Sequence, residues 1–441
     1  MLVRKKSVLV VIVMVALLIF LITQCTGSRT DSDKSSSASG VTTSKSIKNS
    51  DSTPRTSSRT LNVSVSMDPV SFVAFQKLSN AYLEAHSGLT IKLENIDPKE
   101  AYIKFKKASQ LGEASDVLLL DNNWINEFAA LGYLSPVDVL FTTDMQAQRV
   151  PVVLNQVKWN GYIWGVPNDI DPYIFVWNKK TALEAKRDKA PETPDEMVQW
   201  SRTFAKPETG KYGIYVDLLD PELFIATMSS LTGTWLDPTQ VDKKWSDPAI
   251  MKTVESFLIW DNGSKSNISK AFPQPSSTWD PWALLQQGKV AAMVTTFSAY
   301  RQHPSDQLAL ASLPRTFVDS KENYVWLKGR SFSISSRSTN QLLAMDWIKE
   351  MTSPDAAVKM WAEAKQLPTL LPSLKSQAIR GDVNAKSYEW LLDHAIVMPA
   401  HPETSKKLTG MLPELQKLQK GEYDVKTFAG QMTKLWAPAK K

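Results

Sequence analysis

The chain has 441 residues, with 51 Lys and Arg against 45 Asp and Glu, a formal charge of +6 and a single cysteine. The basic excess lies at the start: residues 1–25 hold three basic and no acidic groups, residues 26–60 hold six basic and three acidic, and the remainder is close to neutral. A folded part without surplus cations has little to set against a phosphate backbone, which argues against nucleic acid as a partner, and a lone cysteine excludes an internal disulfide.

Arg4, Lys5 and Lys6 precede an apolar run from Val8 to Ile22. Its length is near the upper end for a signal-peptide core and short of the roughly 20 residues that a spanning helix prefers. Cys25 follows at once, where a bacterial lipoprotein carries its lipidated thiol, although Gln24 stands where a small residue is usual; an uncleaved anchor is the alternative. Both readings place the rest of the chain on the extracytoplasmic face of a cell membrane. Residues 26–60 are rich in Ser and Thr and hold almost nothing able to form a core, so they read as a flexible tether.

About 380 residues remain, more than one hydrophobic core usually serves, so two lobes are expected. Leu61 to Ser66 alternates like a strand, and Phe72, Phe75, Leu78, Tyr82 and Leu83 are spaced for a helix. Leu89 to Leu93 is a second strand, Tyr102, Phe105 and Leu111 mark another helix, and Asp116 to Leu120 is a continuous apolar strand. This alternation predicts an α/β fold of mixed, mostly parallel sheets flanked by helices. Ligands of such sheets lie beyond the carboxyl ends of the strands, which makes Asp68, then Asp121, Asn122, Asn123 and Trp124, the first candidates. The three polar residues of the second group serve equally well as the N-cap of a helix, and Trp124 as a core residue.

The stretch Trp159–Lys180 puts Asn168, Asp169 and Asp171 between Pro167 and Pro172, ahead of the buried strand Tyr173–Trp177, and the prolines predict a stiff turn. Carboxylates and amides beside indole and phenol rings suit a polyhydroxylated ligand, which needs bidentate acceptors for hydroxyls and flat covers for C–H faces. Further along, Asp217 and Asp220 follow the strand from Tyr212, Phe297 and Tyr300 follow the strand ending near Thr296, and Trp326, Lys328 and Arg330 precede the strand at Phe332. Each has a plain alternative as a helix start, a packed ring or a surface cation. Trp282, Trp347, Trp361 and Trp390 read as packing residues.

Several segments together resemble the extracellular solute-binding proteins that serve sugar ABC importers. They are Ser115–Leu120 with Trp124–Phe128 and Gly132–Pro136, then Trp159–Pro167 with Trp177-Asn178-Lys179, then Gly288–Met293, Ser333–Ser335 and Ser353–Ala357, in the family's order across roughly residues 61–440. The resemblance implies a type II periplasmic-binding-protein-like fold of two lobes joined by a hinge. Lobe one would be 61–168 plus 316–353 and lobe two 172–311 plus 354–441, with crossings near 168–172, 311–316 and 353. It also implies capture of a sugar, delivery to the importer's permease subunits by hinge closure, action as a monomer, no cofactor and no metal, and an acidic ligand residue at Asp171. The glycine and tryptophan of the family's late aromatic motif are absent around Phe297 and Tyr300.

Catalysis is the rival class. The chain has no Gly-x-Ser-x-Gly, P-loop or His-Glu-x-x-His, and His86, His303, His394 and His401 are scattered. A glycosidase needs two carboxylates about 5 to 10 Å apart, and Asp121 with Asp171 is the pair to test. A lipoprotein that reports ligand to a membrane receptor is the third reading.

Overall fold

The computed structural model of the chain describes residues 59–138, 141–206, 209–232, 245, 247–258, 280–314, 325–382 and 395–437. The N-terminal segment with Cys25, most of the expected tether, Trp390, His394 and residues 315–324 lie outside them. No helix of the described residues is long and apolar enough to cross a membrane.

Thirteen strands are described: β1 (Arg59–Val65), β2 (Leu89–Asn95), β3 (Val117–Asp121), β4 (Leu134–Ser135), β5 (Lys158–Trp159), β6 (Tyr162–Ile163), β7 (Val166–Asn178), β8 (Tyr212–Val216), β9 (Val290–Thr296), β10 (Leu308–Ser312), β11 (Val325–Ser335), β12 (Leu367–Pro368) and β13 (Ala395–Ile396). All but the β5–β6 hairpin belong to one mixed sheet in the order β2-β1-β3-β11-β7-β9-β8, with β4 and β13 on β11 and β10 and β12 on β7. Pairing is parallel at both ends, β2-β1-β3 and β9-β8, and antiparallel through the middle. The parallel ends follow from the sequence. β1, the helix Pro69–Ala85, β2, the helix Ala101–Leu111 and β3 are successive βαβ units, and β3 is buried along Val117–Leu120.

Two long strands join the two ends. β7 pairs with β11 through Val166–Pro172, then with β9 through Tyr173–Trp177 and with β10 through Ile174–Asn178. β11 pairs with β7 through Leu327–Phe332 and with β3 through Arg330–Ile334. The stiff turn expected between Pro167 and Pro172 is therefore absent: both prolines sit inside the continuous strand β7. Extended backbone accepts the fixed proline φ, and the ladder slips by a bulge between Arg330 and Ser331, opposite this segment.

Apolar residues gather in three clusters. The first takes Leu61, Val63, Phe75, Phe105, Leu118, Phe128 and Trp347; the second takes Phe175, Trp200, Ile214, Phe224, Trp326, Met411 and Phe428. The third lies across their junction, with Val150, Ile174, Met293, Phe297, Leu327 and Trp361. Along β7 the membership changes from Val166 in the first cluster to Ile170 in the third and Tyr173 in the second; along β11 it changes between Leu327 and Phe332. The helix Pro354–Ala364 gives Ala356, Met360 and Ala364 to the first cluster. We therefore propose lobe crossings at 167–172, 328–331 and 365–370, in place of 311–316 and 353 for the last two.

Candidate functional site

The carboxyl ends of β1, β3 and β9 and the middles of β7 and β11 open onto one cleft of about 400 Å³. Each charged group in it has a local reason for its place. Asp68 ends the turn after β1 and caps the helix Pro69–Ala85, accepting from Val70 N at 3.1 Å, Ser71 N at 3.0 Å and Ser71 Oγ at 2.6 Å. Asp121 ends β3 and caps the helix Asn122–Ala130 through Asn123 N at 2.9 Å. Asp220 accepts from Glu222 N and Leu223 N at 3.0 Å at the start of the helix Pro221–Thr232. Capping thus directs these carboxylates to the strand ends, where the cleft lies.

The crossing strands supply the rest. Asp169 on β7 receives the forked guanidinium of Arg330 on β11, whose Nε bonds lie at 3.2 and 3.0 Å, while Arg330 Nη1 donates to Ser66 O at 2.5 Å. Asp171 accepts Ser298 N at 2.7 Å on one oxygen and Ser298 Oγ at 2.5 Å on the other. Lys328 pairs with Glu222 at 3.3 Å and stands 6.0 Å from the Tyr173 ring centroid. Gly329 lies between them because a side chain cannot: a Cβ there would come within 2.8 Å of Asn122 Nδ2 and 2.9 Å of Asp169 O.

Burial governs the titration of these groups. It raises the Asp121 and Asp171 carboxyls, against the opposing pull of Lys328 on the first and of the Ser298 hydrogen bonds on the second. It pushes Glu222 up to about 7, although Lys328 favours its ionised form. Burial also works against the Lys328 ammonium, but Glu222, Asp220, Asp121 and Asp171 around it outweigh that and hold it protonated. For Asp68, burial is outweighed by its two Ser71 hydrogen bonds and by Arg301 and Arg330, and its pKa falls.

Of the sequence candidates, Asp68, Asp121, Trp124, Asp169, Asp171, Asp220, Phe297, Lys328 and Arg330 line the cleft together. The other six do not. Asn122 accepts from Ser331 Oγ at 2.6 Å behind Gly329. Asn123 ties the helix Asn122–Ala130 to the far half: its Oδ1 accepts from Gln156, which also donates to Met398 O, and its carbonyl accepts from Ser405 Oγ at 2.9 Å. Asn168 donates to Asp169 at 3.2 Å. Asp217 accepts from Leu219 N at 2.9 Å, Tyr300 packs on the junction cluster, and Trp326 is 1 % exposed in the second core. Trp326 shares a face of β11 with Lys328 and Arg330, yet it is packed into the second core.

Sequence reasoning missed Ser66, Ser298, Arg301, Gln302, Lys365 and Gln366. A signal existed for two of them. The aromatics are the prominent feature of the run Thr296–Arg301, but a helix starting at Phe297 places Ser298 and Arg301 three apart on one face. Phe297 adds only an edge of the cleft and is 5 % exposed, stacked over Trp361 with centroids 6.4 Å apart.

Two α/β halves sharing one sheet through a pair of continuous strands, with a charged cleft at their junction, define a two-lobed solute-binding fold. The chain belongs to the bacterial extracellular solute-binding protein family, whose sequence profile it matches over residues 77–386. A maltotriose-binding protein of Pyrococcus abyssi (strain GE5 / Orsay) is 23 % identical over 348 residues, covering 76 % of this chain and 72 % of that one. Among solved structures, the GacH receptor of Streptomyces glaucescens GLA.O, determined unliganded and with acarbose, superposes with a TM-score of 0.73 at 20 % identity, over 86 % of this chain and 97 % of the receptor. The maltotriose binding protein of Thermus thermophilus, bound with maltotriose, gives 0.69 at 17 % identity, over 85 % and 98 %.

Proposed function

We propose that the chain captures a short oligosaccharide of the maltodextrin type in the junction cleft, outside the cytoplasm and tethered by its N-terminus, and hands it to an ABC importer when the lobes close. The carrying observation is the cleft itself. Its volume falls within the ~300–1,000 Å³ of small-molecule sites, and residues of both halves line it: Asp68, Asp121 and Trp124 on one side, Asp171, Asp220 and Ser298 on the other. Asp121, Asp171 and Asp220 keep acceptor sites for sugar hydroxyls, whereas those of Asp68 are filled by Val70 N, Ser71 N, Ser71 Oγ and Arg301, and Trp124, half-buried with its ring centroid 5.4 Å from that of Tyr102, supplies an indole to cover C–H faces. Relatives that carry maltotriose or acarbose support the ligand class. A solute that touches both halves favours the closed form by its differential affinity, and closure keeps water from its hydrogen bonds.

A binding protein suits the carboxylates better than an enzyme does. Each oxygen of Asp171 accepts one hydrogen bond from Ser298 and keeps a site for a sugar hydroxyl, an acceptor's arrangement, whereas a hydrolytic acid or base must exchange its proton with substrate or water. Thermal unfolding with maltotriose tests the assignment: at a hundredfold excess over Kd the sugar adds about 2.7 kcal/mol of stability. No stabilisation by maltotriose or longer glucans, with a clear shift from a polyamine or a phosphate ester, refutes the sugar class. Release of smaller sugars on prolonged incubation refutes the non-catalytic reading.

A further inference from the structure

The mouth of the cleft carries an ion pair that joins the two halves directly. Arg301 ends the short helix that follows β9 in the second half, and its Nη2 donates at 2.7 Å both to Asp68 Oδ2 and to Ser71 Oγ in the first half. Ser71 Oγ in turn donates to the same Asp68 oxygen at 2.6 Å, so the three groups close a triangle. The pair is well shielded: the Arg301 and Asp68 side chains are 8 % and 12 % exposed, whereas the surface pair Lys77–Glu363 is 65 % and 44 % exposed. A charged hydrogen bond in such surroundings is worth more than a surface pair, and its planar fork is poorly replaced by lysine.

Its place in the sheet decides what it does. β1, which carries Asp68 beyond its end, lies two strand positions from the crossing strand β11, about 10 Å away. Arg301 hangs from β9, on the opposite side of β7. A rotation about the crossing strands leaves Arg330 on Asp169, because both belong to those strands, but separates Arg301 from Asp68. Phe297 of the same helix stacks over Trp361 in the junction cluster.

We propose that Arg301, Asp68 and Ser71 form a latch between the lobes, made as the cleft closes and broken as it opens, so that Arg301 sets how firmly a captured solute is held without selecting which solute it is. The inference rests on the cleft being the binding site and adds a positioning role for Arg301. Apparent affinity is the intrinsic affinity scaled by the fraction of closed molecules, so loss of the latch weakens every ligand by one common factor, whereas loss of a ligand contact weakens ligands unequally. A charged hydrogen bond of this kind corresponds to roughly ten- to a hundredfold in affinity.

The test uses the full chain and its Arg301→Gln, Asp68→Asn and doubly substituted forms, with Arg301→Lys as a milder variant and circular dichroism to verify folding. Without ligand, small-angle scattering of Arg301→Gln gives a larger radius of gyration than the unaltered chain. Maltotriose and maltose both lose affinity by the same factor, and the double variant is no weaker than the worse single one. An unchanged radius, unequal factors for the two sugars, or multiplying effects of the two substitutions would overturn the latch. Should neither sugar bind the unaltered chain, the sugar assignment fails and the radius alone judges the latch.

Discussion

Replacing Glu222 with glutamine isolates the electrostatics of the buried carboxylate that pairs with Lys328. Glu222 is 5 % exposed, one of its oxygens has no hydrogen-bond partner, and the other lies 3.3 Å from Lys328. Burial lifts its pKa from 4.5 to about 7, while Lys328 remains protonated far above that range. Between pH 4.5 and 7 the folded chain keeps a proton that the unfolded chain has released, so it binds more protons and loses stability as pH rises. Working from 4.5 to about 7, the loss amounts to about 3 kcal/mol, complete above pH 7. Glutamine does not titrate, so the difference in stability between the two proteins moves by that amount in favour of Glu222→Gln across the window, whatever constant offset the substitution adds. Urea unfolding at pH 4.5, 5.5, 6.5 and 7.5 measures it. A difference that stays flat, or one that rises with its midpoint near 4.5, refutes the buried-carboxyl argument.

Three further outcomes follow from the geometry. Asp171→Asn keeps the shape but removes the charge that Ser298 and a sugar hydroxyl share, so maltotriose affinity falls roughly tenfold or more by calorimetry; unaltered affinity would remove Asp171 from the site. Gly329→Ala drives a methyl into Asn122 Nδ2 and the Asp169 carbonyl and destabilises by about 1–3 kcal/mol, read as a lower urea midpoint; a neutral result would mean that β11 shifts freely. Trp326→Ala removes a fully buried indole and costs about 3–5 kcal/mol of stability, while the variant that remains folded binds maltotriose with unaltered affinity; a specific loss of binding would return Trp326 to the site.

The parallel ends of the sheet were legible because their signals are local. The alternation in Leu61–Ser66, the helical spacing of Phe72, Phe75 and Leu78 and the apolar run Asp116–Leu120 each fall within a few residues of the observed elements. The long crossing strand was not. Two prolines within six residues suggest a turn, and only the partner strand β11, some 160 residues later, supplies the ladder that holds Pro167 and Pro172 extended. Ser353 starts a helix, as its cap shows, but the cluster into which Ala356, Met360 and Ala364 pack is a long-range fact that no local pattern states.

The site divides along the same line, and the division has a cause. Asp68 and Asp121 were found because a carboxylate after a strand is both an N-cap and, in this topology, a group at the open strand ends; the capping alternative and the cleft placement are one geometry seen twice. Arg301 and Ser298 gave little warning because their meaning lies in partners far along the chain: Asp68 is 233 residues from Arg301, and Asp171 is 127 from Ser298. A cation in a sequence reads as surface until the carboxylate that buries it is known. The cleft is lined by residues from distant parts of the chain, so the ion pairs and hydrogen bonds that cross it join partners far apart in sequence, and local pattern reveals them least.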